Sequence, residues 1–404
     1  MNRRDKLTIR PVELQDLEQF NDLFRYVFQV TNEDLEESGY DDEELIIAKK
    51  PILEKSEILG WFTEDNELVS QICIYPIDVN VHGQIYHVGG VTGVGTYPEY
   101  AHMGLMSELI QKSLEKMRND GQCLSLLYPY AIPYYRRKGW EIVSDMMSFE
   151  IKDSQLPSYK KVPGYVERLD IDDPQVYEVY DRFARTNHGA MIRDEFAWSE
   201  FWRWENEDER LAGVYYDGQG QATGYVLYWV ANDIFYFKEM VYLNQEAYDG
   251  LWNFIVAHDS MIDVVKGKNY KNEPIAFRFQ DSAITETITP YFMGRIVDVE
   301  AFLTRYPFIV SKEFQPFHFT VSDPLAQWNN GSYTIECNEG VFSITRQAKG
   351  PEICVDIQTL TSLLMSYRSP GYFRKLERLA VDDALLRILE ATIPDDQPYF
   401  SDYF

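Results

Sequence analysis

The stretch from Tyr86 to Met117 constrains the fold more than any other. Residues 86–97 are rich in Val and Gly and read as a strand that Pro98 stops. Beyond Gly104, the residues Leu105, Met106, Leu109, Ile110, Leu114 and Met117 fall on one face of an amphipathic helix that Gly121 is placed to close. Leu124–Tyr128 follows as a short buried strand. A long strand feeding a helix and then another strand calls for an α/β layered domain. The flanking segments agree. Lys6–Arg10 alternates as a strand, and Leu14, Leu17, Phe20, Phe24, Val27 and Phe28 are spaced as a helix. Gly60–Thr63 and Leu68–Val81 read as strands joined at residues 64–67, and His82-Gly83 reads as a second hairpin turn. Pro133–Lys138 is a brief helix or turn, and Trp140–Ile151 returns as strand.

A chain of 404 residues exceeds what one core supports, about 250–300 residues. An echo of the first unit follows. A helix opens at Pro174, strands are predicted at Leu211–Tyr216, Gly224–Val230 and Ile234–Leu243, a helix runs through Leu251–Ile255, and a strand is predicted at Ile275–Phe279. From Val297 the texture becomes α+β. A helix at 299–303 precedes strands at Phe317–Val321, Ser332–Cys337, Gly340–Thr345 and Ile353–Asp356, with helices at Thr359–Tyr367 and Asp382–Glu390. The expected domains are 1–152, 153–292 and 293–404, closely packed because no low-complexity linker divides them.

Lys and Arg number 38 against 65 Asp and Glu, a formal charge of −27. This argues against nucleic-acid or anionic-membrane partners and suits cationic small molecules, although solubility alone also accounts for it. Eight acids between Glu33 and Glu44 read as a solvated face. Cys73, Cys123, Cys337 and Cys354 form no C-x-x-C pair, and the six histidines have no ligand spacing, so no metal is expected. With no signal h-region and no apolar run of about 18 residues, the expected compartment is the cytoplasm.

The junction Gly93-Val94-Gly95-Thr96-Tyr97-Pro98 to Ala101-His102-Met103-Gly104-Leu105-Met106 carries the chemistry. A helix start leaves unpaired N–H groups that can take phosphate, and Gly104 permits close approach. A tight β-to-α turn would look the same. Together with Tyr135-Arg136-Arg137-Lys138-Gly139-Trp140, Asp298–Pro307, Asp323–Gly331 and the terminal Phe404, this order resembles the GNAT N-acetyltransferases, more narrowly the Eis (enhanced intracellular survival) type.

That resemblance implies tandem GNAT-like domains, each a mixed sheet flanked by helices, and a C-terminal α+β domain similar to sterol carrier proteins. It implies acetyl-CoA as cosubstrate, its pantetheine arm along Val94 and Thr96 and its pyrophosphate over the amides of His102, Met103, Gly104, Leu105 and Met106. Ala101 stands where the pattern has Arg or Gln, and the basic residues common at the next positions are missing. Tyr135 matches the general acid, and Phe404 the residue whose terminal carboxylate acts as base. Arg136–Lys138 could face solvent or the CoA 3′-phosphate, and solvent is the expectation. The resemblance further implies small-molecule amine acceptors, cationic or lysine-like, and a homo-oligomer, commonly a hexamer. No glycine equivalent to Gly104 precedes the helix after Leu243, so the second copy is expected to bind no acetyl-CoA. A non-catalytic binding or scaffold protein on the same framework is the alternative, resting on Ala101 and Met103.

Overall fold

A computed structural model describes residues 3–31, 50–202, 210–271 and 274–404. The acidic run Glu33–Glu44 lies outside them. The first sheet contains β1 (Thr8–Pro11), β2 (Glu57–Phe62), β3 (Leu68–Val81), β4 (Gln84–Thr96), β5 (Leu124–Leu127) and β6 (Glu141–Ile142). Helix α1 (Leu17–Phe28) packs on β3 and β4, and α2 (Leu105–Asn119) on β2, β3 and β4. The buried face of α2 carries Leu105, Leu109, Ile110, Leu114 and Met117, as the spacing predicts. At the β3–β4 turn both His82 (φ 48°) and Gly83 (φ 89°) are left-handed, the geometry that matches the twist of a two-residue hairpin.

The units trade strands across the expected boundaries at 152 and 292. The segment Trp140–Ile151 is not one strand. It breaks at Val143-Ser144, leaving β6 in the first sheet and sending β7 (Asp145–Lys152) into the second. The second sheet orders β14 (Thr285–Pro290), β7, β13 (Val264–Asn269), β12 (Ile234–Tyr242), β11 (Ala222–Ala231), β10 (Leu211–Tyr216) and β8 (Tyr165–Leu169). In return β15 (Met293–Ile296) inserts between β5 and β6, and β9 (Met191–Ile192) pairs with β3. The expected strand Ile275–Phe279 is instead a 3-10 turn at Ala276–Arg278, with Phe277 exposed. Its alternating aromatics imitate a strand. The real strand, β13, reads as a polar run because Gly267 leaves room for the rings of Phe149 and Phe237, which would lie 2.5 Å from a Cβ there.

Helix α3 (Ile132–Arg136) closes the first unit, and the helices of the second are α4 (Pro174–Ala184), α5 (Glu195–Trp202) and α6 (Gln245–Val256). The last unit adds α7 (Val299–Arg305), a sheet ordered β18 (Val341–Thr345), β17 (Gly331–Asn338), β16 (Phe317–Ser322) and β19 (Glu352–Asp356), then α8 (Ile357–Leu364), α9 (Pro370–Lys375) and α10 (Asp383–Thr392). It is anchored by a fully buried ion pair. Arg295 donates to both oxygens of Asp323 at 2.9 and 2.6 Å and to the Lys138 carbonyl at 2.7 Å. Asp323 also accepts from the Leu325 and Ala326 amides and from Asn329. The Asp323–Gly331 motif is therefore a structural joint between the third unit and β15.

Candidate active site

The sheet opens where the site lies. Strands β4 and β5 run parallel through Val88↔Leu124, Gly89↔Ser125 and Gly90↔Leu126, and there the pairing ends while β4 continues to Thr96. A bulge deflects β4 from β3: Cys73 pairs with Thr92 but Gln71 with Gly95, and the extra turn of chain passes through Gly93 at φ 58°. Residues 91–96 thus present an edge with no β5 partner. They line a cleft of about 990 Å³ with Met106, Tyr128, Tyr134, Tyr135 and Phe404. Of the predicted residues, Val94, Thr96, Met106, Tyr135 and Phe404 meet in this one space.

The rest of the predicted loop behaves differently. His102, Met103 and Gly104 lie on the turn between two cleft-lining residues, Pro98 and Met106, but do not line the cleft themselves. His102 and Gly104 are exposed, with φ of 62° and 77°. Gly104 is the N-cap of α2, and among the described residues no side chain caps the helix. The Leu105 side chain is buried core rather than ligand surface, and its carbonyl accepts the Trp61 indole N–H at 3.1 Å.

Cations absent from the loop sequence arrive from elsewhere. Arg4 Nη2 donates to Glu108 in the first turn of α2 at 2.5 Å, and a Cβ on Gly104 would sit 3.5 Å from Arg4 Nη1. Arg3 donates to the Glu99 carbonyl at 3.0 Å and covers the Tyr100 ring. Lys138 does not point away into solvent as expected. Its Nζ donates to Ser107 Oγ at 2.7 Å in the same first turn, and burial, with Arg137 nearby, lowers its pKa. Arg136 is committed to Glu141 at 2.9 Å, and Arg137 is exposed. Nothing in the sequence marked Arg3 and Arg4, which lie about a hundred positions from the loop they reach.

Tyr135 is 7% exposed, edge-on to Tyr134 and Trp140. Among the described residues its hydroxyl has no hydrogen-bond partner. Burial, and secondarily Tyr134, pushes its pKa well above the ordinary phenol value, so it stays protonated at physiological pH. Phe404 is half-buried. Its ring lies over Gly90, where a Cβ would come within 2.7 Å, and meets Tyr75 and Phe292 at centroid distances of 5.9 and 5.3 Å. Phe404 also lines an adjoining pocket of about 350 Å³ with Phe20, Phe24, Tyr75, Phe196 and Glu200. Thr92, Gly93, Phe28 and Tyr403 border both spaces. The terminal residue is therefore a wall between a long polar-edged cleft and an aromatic pocket. No described group of His, Cys, Asp or Glu is placed to hold a metal ion, and no described helix is long and apolar enough to cross a membrane.

Family models match along the chain: an acetyltransferase (GNAT) domain at residues 8–143, a second acetyltransferase (GNAT) domain at 189–296, and a sterol carrier protein domain at 299–401. The two acetyltransferase matches together span more than half of the chain. This chain is a tandem GNAT acetyltransferase.

Solved structures share the acetyltransferase's whole layout. A conserved protein of unknown function from Enterococcus faecalis V583, a probable N-acyltransferase, is 28% identical with a TM-score of 0.88, covering 98% of this chain and 99% of its own. A GCN5-related N-acetyltransferase from Anabaena variabilis ATCC 29413 is 23% identical with a TM-score of 0.84, covering 98% and 100%. Eis1 from Mycobacterium abscessus is 20% identical with a TM-score of 0.81, again covering 98% and 100%. Among curated proteins no significant match is found.

Proposed function

We propose that the enzyme transfers the acetyl group of acetyl-CoA to a primary amine of a cationic small molecule or lysine-like group, in the first-domain cleft and in the manner of the Eis type. The carrying observation is that Tyr135 and Phe404, from distant parts of the chain, line one cleft along the unpaired edge of β4. Residues 91–96 supply a backbone edge for an extended arm, and the uncapped start of α2 supplies amides for phosphate. Arg4 and Lys138 fit the charge requirement that Ala101 and Met103 leave unmet. When bound, acetyl-CoA supplies the activated acyl group. Tyr135 donates a proton to the departing sulfur, and the Phe404 carboxylate accepts one from the attacking amine. In water such a carboxylate is a weak base, with a pKa of about 3.5, and desolvation is the means by which a cleft strengthens one.

The aromatic pocket beside Phe404 supports a cationic acceptor. Seven aromatic rings and Glu200 line it, and ring faces attract ammonium groups. The charge of −27 agrees. The fold shared with Eis1 supports the three-part layout, and the docked terminus supports the Eis-type assignment.

Calorimetric titration with acetyl-CoA, followed by thiol release across a panel of polyamines and aminoglycosides, tests this. Micromolar 1:1 binding per chain with turnover on at least one polycation is expected. No binding up to millimolar acetyl-CoA would sink the reading.

A further inference from the structure

The last residues of the chain carry no secondary structure, yet they are among its most buried. Tyr399, Phe400, Ser401 and Asp402 are all at most 7% exposed. Free termini usually fray. What holds this one is a charge cluster that belongs to the second unit. Arg193, just after β9, and Glu239, on β12, are fully buried and paired at 2.9 and 3.2 Å. The tail closes on that pair from the other side. Arg193 Nε donates to Asp402 Oδ1 at 2.7 Å, and Arg193 Nη2 to Ser401 Oγ at 3.0 Å. The hydroxyls of Ser401 and Tyr399 donate to Glu239 Oε1 at 2.6 and 2.9 Å. Tyr225 donates to Glu239 Oε2 at 2.6 Å, Tyr180 lies 3.2 Å from Asp402 Oδ2, and Tyr291 donates to the Asp402 carbonyl at 3.0 Å. The guanidinium is stacked against Tyr180 and Phe201, with centroids 3.7 and 3.8 Å away.

The backbone also accommodates the tail. Gly189 has φ 86°, and a Cβ there would lie 2.7–2.8 Å from Pro398 and Tyr399. The Tyr399 amide bonds the His188 carbonyl at 2.8 Å. Two residues beyond Asp402 the chain ends at Phe404, against Gly90 of β4. A solvent-poor ion cluster of this kind gives geometric definition more than stability, because desolvating three charges offsets much of their attraction.

We propose that Arg193 and Glu239 form a clasp whose function is to position the C-terminal residue in the first-domain cleft, with Asp402 as its tail-side member. They are positioning residues that touch neither substrate. Dependence of turnover on this clasp rests on the proposed role of the terminal carboxylate, whereas retention of the tail does not.

Two sets of variants test it. Asp402→Asn removes the tail's charge, and Tyr399→Phe with Ser401→Ala removes its hydroxyls on Glu239 without burying a new charge. Release of Phe404 by a carboxypeptidase that favours aromatic ends, followed by mass spectrometry, should be at least ten-fold faster in both than in the native enzyme. Acetyl-CoA affinity should stay within about two-fold, while kcat for amine acetylation falls at least ten-fold. Adding either variant to a chain lacking Phe404 should produce no further loss of kcat, a non-additivity that a general structural weakening would not give. Native-like protection of Phe404 in both variants overturns the clasp. If instead protection is lost but the chain lacking Phe404 keeps full activity, the clasp stands and the terminal-base reading fails.

Discussion

The two acetyltransferase units open their sheets in the same way and fill the opening differently. In the first, β4 parts from β5 after Gly90, and the exposed edge faces a cleft of about 990 Å³. In the second, β12 parts from β13 after Phe237↔Gly267, and the next two residues on β12 are Lys238 and Glu239. Lys238 donates to the Phe201 carbonyl and Glu239 receives the C-terminal tail. The helix starts differ in parallel. Gly104 leaves α2 uncapped, whereas the Asn244 side chain accepts the Ala247 amide at 2.8 Å and occupies the start of α6. The cavity at this end of the second unit is about 160 Å³, against 990 Å³ in the first. One opening of the sheet leaves a large cleft, and its counterpart is taken up by the protein's own polar groups.

The largest expected effect falls on the open unit. Tyr135→Phe should lower kcat about 10²-fold, the lower end of general acid catalysis, with acetyl-CoA affinity retained. Because burial raises the Tyr135 pKa, the native enzyme should show no alkaline loss of activity from its ionisation through pH 9; a tyrosine-dependent fall below that pH would contradict the assignment. Next come the two helix starts, read by calorimetry and thermal melting. Gly104→Val forces a β-branched residue into φ 77° and should weaken acetyl-CoA binding about ten-fold. Asn244→Ala should leave that binding unchanged and destabilise the fold by about 1 kcal/mol, the usual cost of a lost N-cap. Equal effects of the two on affinity would remove the contrast between the units.

A smaller effect is expected from Arg4→Met and Lys138→Met. Each should weaken acetyl-CoA about three- to ten-fold, less than a fully buried charged hydrogen bond because both are partly exposed. The dependence on salt should flatten, which isothermal titration across ionic strengths would reveal. The smallest lies at the seam of the units. The rings of His82 and His188 stack at 3.5 Å, and His188 Nε2 lies 2.9 Å from the Met365 carbonyl. Burial holds both imidazoles below their ordinary range, His188 at about 4, and His188 further disfavours charge on His82. The unfolded chain therefore binds more protons than the native one below about pH 6.5, and stability is full above that value and falls as the pH drops toward 4. His82→Asn should flatten that slope in urea unfolding at pH 5 and 7; an unchanged slope would place the acid sensitivity elsewhere.

The first unit was legible because its signals are local. The α2 stripe, the stop at Pro98 and the His82-Gly83 turn each depend on residues next to one another, and the turn has positive φ at both residues. The sterol carrier sheet was likewise readable strand by strand, with β18 one residue shorter than expected. Strand ownership was not legible. Nothing near Asp145 or Met293 records which sheet will accept that strand, because sheet partners are chosen by hydrogen bonds across long separations. The same limit hid Arg4 at α2 and made Lys138 look like solvent surface. Arg193 and Glu239 read as ordinary charged residues until Asp402 is placed beside them.

By itself the sequence determined most of the secondary elements, the repeat of the unit, the glycine at the start of α2 and the terminal Phe404, since each follows from side-chain periodicity and backbone freedom at neighbouring positions. Tertiary structure alone decided which space Tyr135 and Phe404 share, and how the tail is held. Those outcomes depend on burying charges and edges from distant segments together, and a charge removed from water is stable only beside a partner that folding brings to it.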